Sequence, residues 1–125
     1  MFAIRYSPLN ARFWESPYSH AWPDVDIVEN SNEYIFSIEI PGTMKDDIKI
    51  WLNNGVLTVS GEKKSSAGDD QTALVSERSF GKFERSFRLP ESVDRKNVKA
   101  DFVDGVLVVT LPKVPEAKPQ EVSIK

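Results

Sequence analysis

The chain has no cysteine among its 125 residues. Disulfides, thiolate nucleophiles and cysteine-ligated zinc are therefore excluded. It has one histidine, His20, so a histidine-based metal site would have a single ligand and a catalytic triad would have to use that residue; a surface place in a flexible arm is the plainer reading. A basic excess is also lacking. Sixteen Lys and Arg against nineteen Asp and Glu leave a formal charge of −3, whereas a nucleic-acid surface normally gathers positive charge on one face. No long apolar run is present either. The first 22 residues are broken by Arg5, Pro8, Arg12, Glu15 and Pro17, which suits neither a secretory leader nor a membrane span. A cytoplasmic protein is expected, with no membrane and no nucleic-acid partner. Nucleotide motifs are missing too, with neither GxxxxGK[ST] nor GxGxxG after a strand, and no cofactor is expected.

What is present divides into three zones. Residues 1–22 form an aromatic arm holding Phe2, Tyr6, Phe13, Trp14, Tyr18 and Trp22 without a convincing period. Residues 23–112 carry apolar residues at every second position, and 113–125 form a proline-spaced tail. One domain of this length can bury a proper core.

The middle zone reads as all-β. Val25 and Ile27 mark a short strand. Tyr34, Phe36, Ile38 and Ile40 alternate with polar residues until Pro41-Gly42 stops the run. Phe83, Phe87 and Leu89 share a face before Pro90. Helical spacing is poor throughout, a short turn near Thr43 to Asp47 excepted. Residues 47–61 and 97–111 echo one another: Ile48 with Val98, Lys49 with Lys99, Gly55 with Gly105, then Val-Leu-x-Val in both. Each copy reads as strand, Asn-Gly or Asp-Gly turn, strand, because those dipeptides accept the positive φ of tight hairpins. Two such hairpins suit two sheets packed face to face, one hairpin in each.

Three features do not fit a closed sandwich. A polar stretch, Glu62 to Thr72, leads into a strand-like patch, Leu74 to Arg78, with no hairpin partner nearby; a strand on a long arm invites exchange with a neighbouring chain. Arg85 falls on the side of its strand occupied by Phe83, Phe87 and Leu89. It is either an inward charge that discourages edge pairing, its stem passing apolar neighbours, or half of a buried arginine–carboxylate pair at a subunit contact. Finally, Val122 and Ile124 put two branched apolar residues one apart at the end of a solvated tail.

PDVDIVENSNEYIFSIEIPG, NNGVLTVSGEKK, SERSFGKFERSFRLPESVD and KADFVDGVLVVTLPK, in that order and spacing, resemble the α-crystallin domain of small heat shock proteins over residues 23–112. Val122-Ser123-Ile124 is similar to that family's C-terminal I/V-x-I/V motif. The resemblance implies an immunoglobulin-like β-sandwich of two antiparallel sheets whose dimer forms by exchange of the strand on the long arm. Leu74, Val75, Glu77 and Arg78 would then lie against a partner's first strand, near Val25 and Ile27. Arg85 would be the arginine of the dimer contact. The tail motif would dock between edge strands, on Ile48, Ile50 and Leu52 of one and Val98, Ala100 and Phe102 of the other.

The expected function is an ATP-independent holdase, not an enzyme, that binds partly unfolded client proteins as a homo-oligomer built from dimers. Phe2, Ile4, Tyr6, Phe13, Trp14 and Trp22 are candidates for client contact, with packing on the protein's own sandwich as the plainer role. A rival is a β-sandwich module that binds another protein, as co-chaperones do, or a sugar stacked on Trp51. An enzyme using a carboxylate pair is the remaining alternative; the carboxylates sit mostly at turns and on polar strand faces, where solvated charges are expected.

Overall fold

The structure is a computed structural model and describes residues 22–115 and 121–125. Seven strands follow in chain order: β1 Val25–Glu29, β2 Glu33–Glu39, β3 Ile48–Asn53, β4 Val56–Lys63, β5 Gly81–Arg88, β6 Lys99–Val103 and β7 Val106–Pro112. They form two antiparallel sheets, one ordered β1-β2-β7-β6 and the other β3-β4-β5. The all-β reading holds, and among the described residues β2 and β3 and then β5 and β6 are linked through single 3₁₀ turns at Lys45–Asp47 and Arg95–Asn97. The second of these escaped the sequence reading. It is seeded by Asp94, whose carboxylate accepts from the Lys96 amide and the Asn97 side chain, a local capping device that leaves no periodic trace.

Alternation in the sequence becomes inside and outside in the sandwich. Tyr34, Phe36 and Ile38 of β2, Leu57 and Val59 of β4, and Leu107, Val109 and Leu111 of β7 are all buried, because successive side chains of a strand point to opposite faces. Phe36 and Phe87 meet edge to face across the two sheets, with ring centroids 5.1 Å apart.

The echoing hairpins are β3–β4 and β6–β7, one in each sheet as the pattern predicts. Asn54 and Gly55 have φ of 52° and 76°, and Asp104 and Gly105 have 55° and 76°, the left-handed pair that matches a two-residue turn to twisted strands. Gly105 carries a second constraint: a β-carbon there would stand 2.8 Å from Pro41 Cα. Gly105→Ala is expected to cost about 1–2 kcal/mol from the left-handed backbone alone, with more from that contact, read as a lowered midpoint in urea at unchanged m-value.

Each hairpin turn also touches the segment that enters the other hairpin. Ile40 donates to the Gly105 carbonyl, and Gly55 lies under the Arg95 guanidinium, a β-carbon there meeting Nη2 at 2.8 Å. The first contact extends the β2–β7 ladder past Glu39 and Val106, and the second ties the β3–β4 turn to the segment before β6. The residues before β1 lie against β5.

Candidate assembly site

β3 and β6 are sheet edges among the described residues. Each presents one row of backbone N–H and C=O groups with no ladder partner, the feature that makes an edge strand a template for another strand. Their side chains sort by position. Ile48, Ile50 and Leu52 are half-buried and pack on the core, while Lys49, Trp51 and Asn53 between them are exposed. Val98 and Phe102 are likewise half-buried against the core; Ala100 is exposed. Five of the six residues expected to receive the tail thus contribute apolar surface that the sandwich covers only partly.

The C-terminal motif is open. Val122 is 80% and Ile124 98% exposed, and residues 121–125 form no strand. The alternative, in which these residues complete a sheet of their own domain, does not occur in this structure. Their tether is shorter than the proline spacing implies. Lys113 bridges to Val93, and the Val114 amide donates to the Ser92 carbonyl at 2.7 Å. Lys113 Nζ also reaches Glu29 at 2.7 Å and lies 5.0 Å from the Tyr34 ring centre. The chain leaves the sandwich only after Val114.

Leu74 to Arg78 form no strand, contrary to the strand-like reading of that patch. Every residue from 64 to 80 is exposed, Leu74 at 92%. The segment joins none of the four edge strands of its own chain, β1, β3, β5 and β6. On β1, Val25 and Ile27 are half-buried on the core side and Asp26 and Val28 are exposed. β1 is itself an edge of its sheet.

Arg85 is buried between Phe83 and Phe87, 7% exposed. Its Nη1 donates to the Pro23 carbonyl at 2.6 Å, and its guanidinium carbon stands 5.4 Å from the Phe87 ring centre. Trp22, the one arm candidate among the described residues, is half-buried and meets Phe83 edge to face at 5.4 Å. Its indole therefore packs on the sandwich. Phe2, Ile4, Tyr6, Phe13, Trp14 and His20 lie outside the described residues. Trp51, the stacking platform of the rival reading, stands 61% exposed on the outer face of β3. Among the described residues no group of three or more His, Cys, Asp or Glu could hold a metal ion, and no helix is long and apolar enough to cross a membrane.

The sequence model of the Hsp20/alpha crystallin family matches residues 26–125. The chain belongs to the Hsp20/alpha crystallin family. It is 39% identical over 103 residues to spore protein SP21 of Stigmatella aurantiaca, covering 82% of this chain and 61% of that protein. It is 42% identical over 103 residues to the 17.6 kDa class I heat shock protein 3 of Arabidopsis thaliana, covering 80% and 65%. The chain thus spans less than two thirds of the length of these relatives. Among solved structures, a small heat-shock protein from Xylella fastidiosa superposes with a TM-score of 0.70 at 32% identity, covering 82% of this chain and 95% of that one. The Hsp20 match begins at Asp26, within β1, and takes in both echoing hairpins and the tail motif. The sandwich of two antiparallel sheets is the alpha-crystallin fold of a stress-response family.

Proposed function

We propose that the chain is an ATP-independent holdase chaperone, working in the cytoplasm as a dynamic oligomer of strand-exchanged dimers. In this reading residues 1–22 are the arm, 23–112 the sandwich domain and 113–125 the extension. The observation that carries it is a double match within one chain. Two segments, Leu74 to Arg78 and Val122 to Ile124, hold apolar residues in the open without a ladder, and the sheets they would complete end in open edges at β1, β3 and β6. Leu74, Val75, Glu77 and Arg78 pair with a partner's β1 at Val25 and Ile27, with Arg85 beneath that contact. Val122 and Ile124 dock between the edge strands β3 and β6 of another copy. Membership of the family supports this, as does the Xylella fastidiosa relative, whose structure is described as a distinct high order structure.

Holding requires no turnover and no enzyme chemistry, since affinity for unfolded chains opposes aggregation by mass action. Weak contacts that open transiently would present apolar surface, including the arm residues Phe2, Ile4, Tyr6, Phe13, Trp14 and Trp22, to partly unfolded clients. Light scattering of a heat-labile protein, without ATP, tests this: the chain at a few-fold molar excess is expected to suppress most of the scattering while sizing as an oligomer. Full aggregation of the client beside an intact oligomer would overturn the holdase.

The exposed Trp51 favours one second reading, a sandwich module that binds a protein or a sugar. That reading is distinguished by a monomer whose binding survives removal of residues 122–125.

A further inference from the structure

The outer face of the four-stranded sheet carries an apolar stripe that neither the strand exchange nor the tail docking uses. The register defines it. Val28 on β1 stands opposite Ile35 on β2. Ile35 stands opposite Thr110 on β7, which places Val108 on the diagonal, within reach of a branched side chain. Val106 follows two residues along β7 and stands opposite Val103 on β6. Val28 and Val103, at the two ends, are 55% and 65% exposed, and the three between are half-buried. A continuous row of five β-branched residues therefore crosses the whole sheet on its solvent side.

Charge around the stripe is predominantly negative. The outward positions of these strands hold Asp26, Glu33, Glu39 and Asp101 against Lys99. The outer face of the other sheet is the reverse, with Lys49, Lys82 and Arg88 against Glu62 and Glu84. Residues 1–21 carry Arg5 and Arg12 against Glu15, together with five aromatics. They join the described chain at Trp22, one residue before Pro23 and two before Asp24, whose carbonyl accepts from the Glu39 amide at the corner of the acidic face. Three strand spacings, about 14 Å, cross the sheet, and 21 residues far exceed that span.

From these observations we infer that the outer face of the β1-β2-β7-β6 sheet is the docking surface of the chain's own residues 1–21. Aromatic side chains cover the Val28–Val103 stripe, and Arg5 and Arg12 sit among Asp26, Glu39 and Asp101. The more basic face of the other sheet is disfavoured by like charge.

The full-length chain with photoreactive benzoylphenylalanine in place of Val103 decides the occupant. Irradiation without client is expected to join position 103 to a peptide from residues 1–21 of the same chain, which mixing of isotopically light and heavy protein establishes. A cross-link between light and heavy chains, one that appears only with an added client, or none at all would overturn the assignment. A second measurement avoids the probe. Asp26, Glu39 and Asp101 are exposed, so their combined change to lysine leaves the sandwich folded, as near-ultraviolet circular dichroism checks. Limited chymotrypsin cleavage at Phe13 and Trp14 is expected to accelerate roughly fivefold, the scale of one or two solvated ion pairs. Adding Arg5→Glu and Arg12→Glu to that variant restores protection, while Lys49→Glu with Arg88→Glu on the other sheet leaves cleavage unchanged. An unaltered rate in the lysine variant would overturn the proposal, and neither readout depends on chaperone activity.

Discussion

Changing Val122 and Ile124 together to alanine is expected to reduce the particle from a large oligomer to dimers while the sandwich unfolds at its original temperature. The two halves of this expectation have separate causes. Stability of the domain is untouched because both side chains are open in the chain itself, at 80% and 98% exposure, and removing atoms that already face water forfeits little burial. Assembly collapses because the contact is marginal. Burying the two side chains returns roughly 1.5–3 kcal/mol each, while fixing three backbone residues costs about 1–2 kcal/mol apiece. The balance is close to zero before the hydrogen bonds to an open edge are added. Avidity around a closed assembly multiplies whatever remains, so losing most of the apolar term at every joint dissolves the whole. The tether limits which joint is made: with Val114 held to Ser92, residues 115–121 span at most about 22 Å at 3.1 Å each. Sedimentation velocity on the double variant, beside thermal unfolding by circular dichroism, checks both halves. An unchanged particle would remove the tail from the assembly, and a lowered midpoint would mean that the motif packs on its own domain.

Signals that act within a few residues are legible in the chain, and those that depend on distant neighbours are concealed. Period-two alternation in Tyr34, Phe36 and Ile38 fixes which side chains face inward, and Asn54-Gly55 and Asp104-Gly105 fix two hairpins, since both signals act within a few residues. The inward position of Arg85 follows from parity alone. The apposition of β2 with β7, more than 70 residues apart in the case of Glu33 and Pro112, is not written locally; any apolar strand of similar length would pair as well. The patch at Leu74 shows the opposite limit. Its composition is that of a strand, yet it joins no ladder of its own chain, and propensity without a paired neighbour makes no sheet. The shortened tether also hides from the sequence, because the Lys113 amide donates to the Asn32 carbonyl and the Val114 amide to the Ser92 carbonyl, residues whose positions depend on the folded sandwich.

Arg85→Ala is expected to destabilise the sandwich by about 2–4 kcal/mol and to weaken the dimer as well, whereas Arg85→Met separates the two effects. Alanine opens a cavity between Phe83 and Phe87 and leaves the buried Pro23 carbonyl without the donor it now has at 2.6 Å; an unsatisfied buried acceptor alone costs about 1–3 kcal/mol. Methionine refills most of the volume with an apolar chain, and such replacements of buried charge are often close to neutral for folding. If Arg85 serves only the fold, Arg85→Met recovers most of the stability and dimerises normally, and the loss in the alanine variant is packing. If Arg85 also meets a neighbour, the methionine variant folds but fails to dimerise, because neither its charge nor its planar fork remains to engage an anionic or carbonyl group across the contact. The second outcome is the expected one. Arg85 lies on an edge strand of the three-stranded sheet, directly after the exposed segment 64–80 that the assembly is proposed to exchange, and its bond to Pro23 ties the entry to β1 to the same spot. Urea unfolding with sedimentation equilibrium on the two variants reads both quantities, and a methionine variant with wild-type dimer affinity would confine Arg85 to the interior of a single subunit.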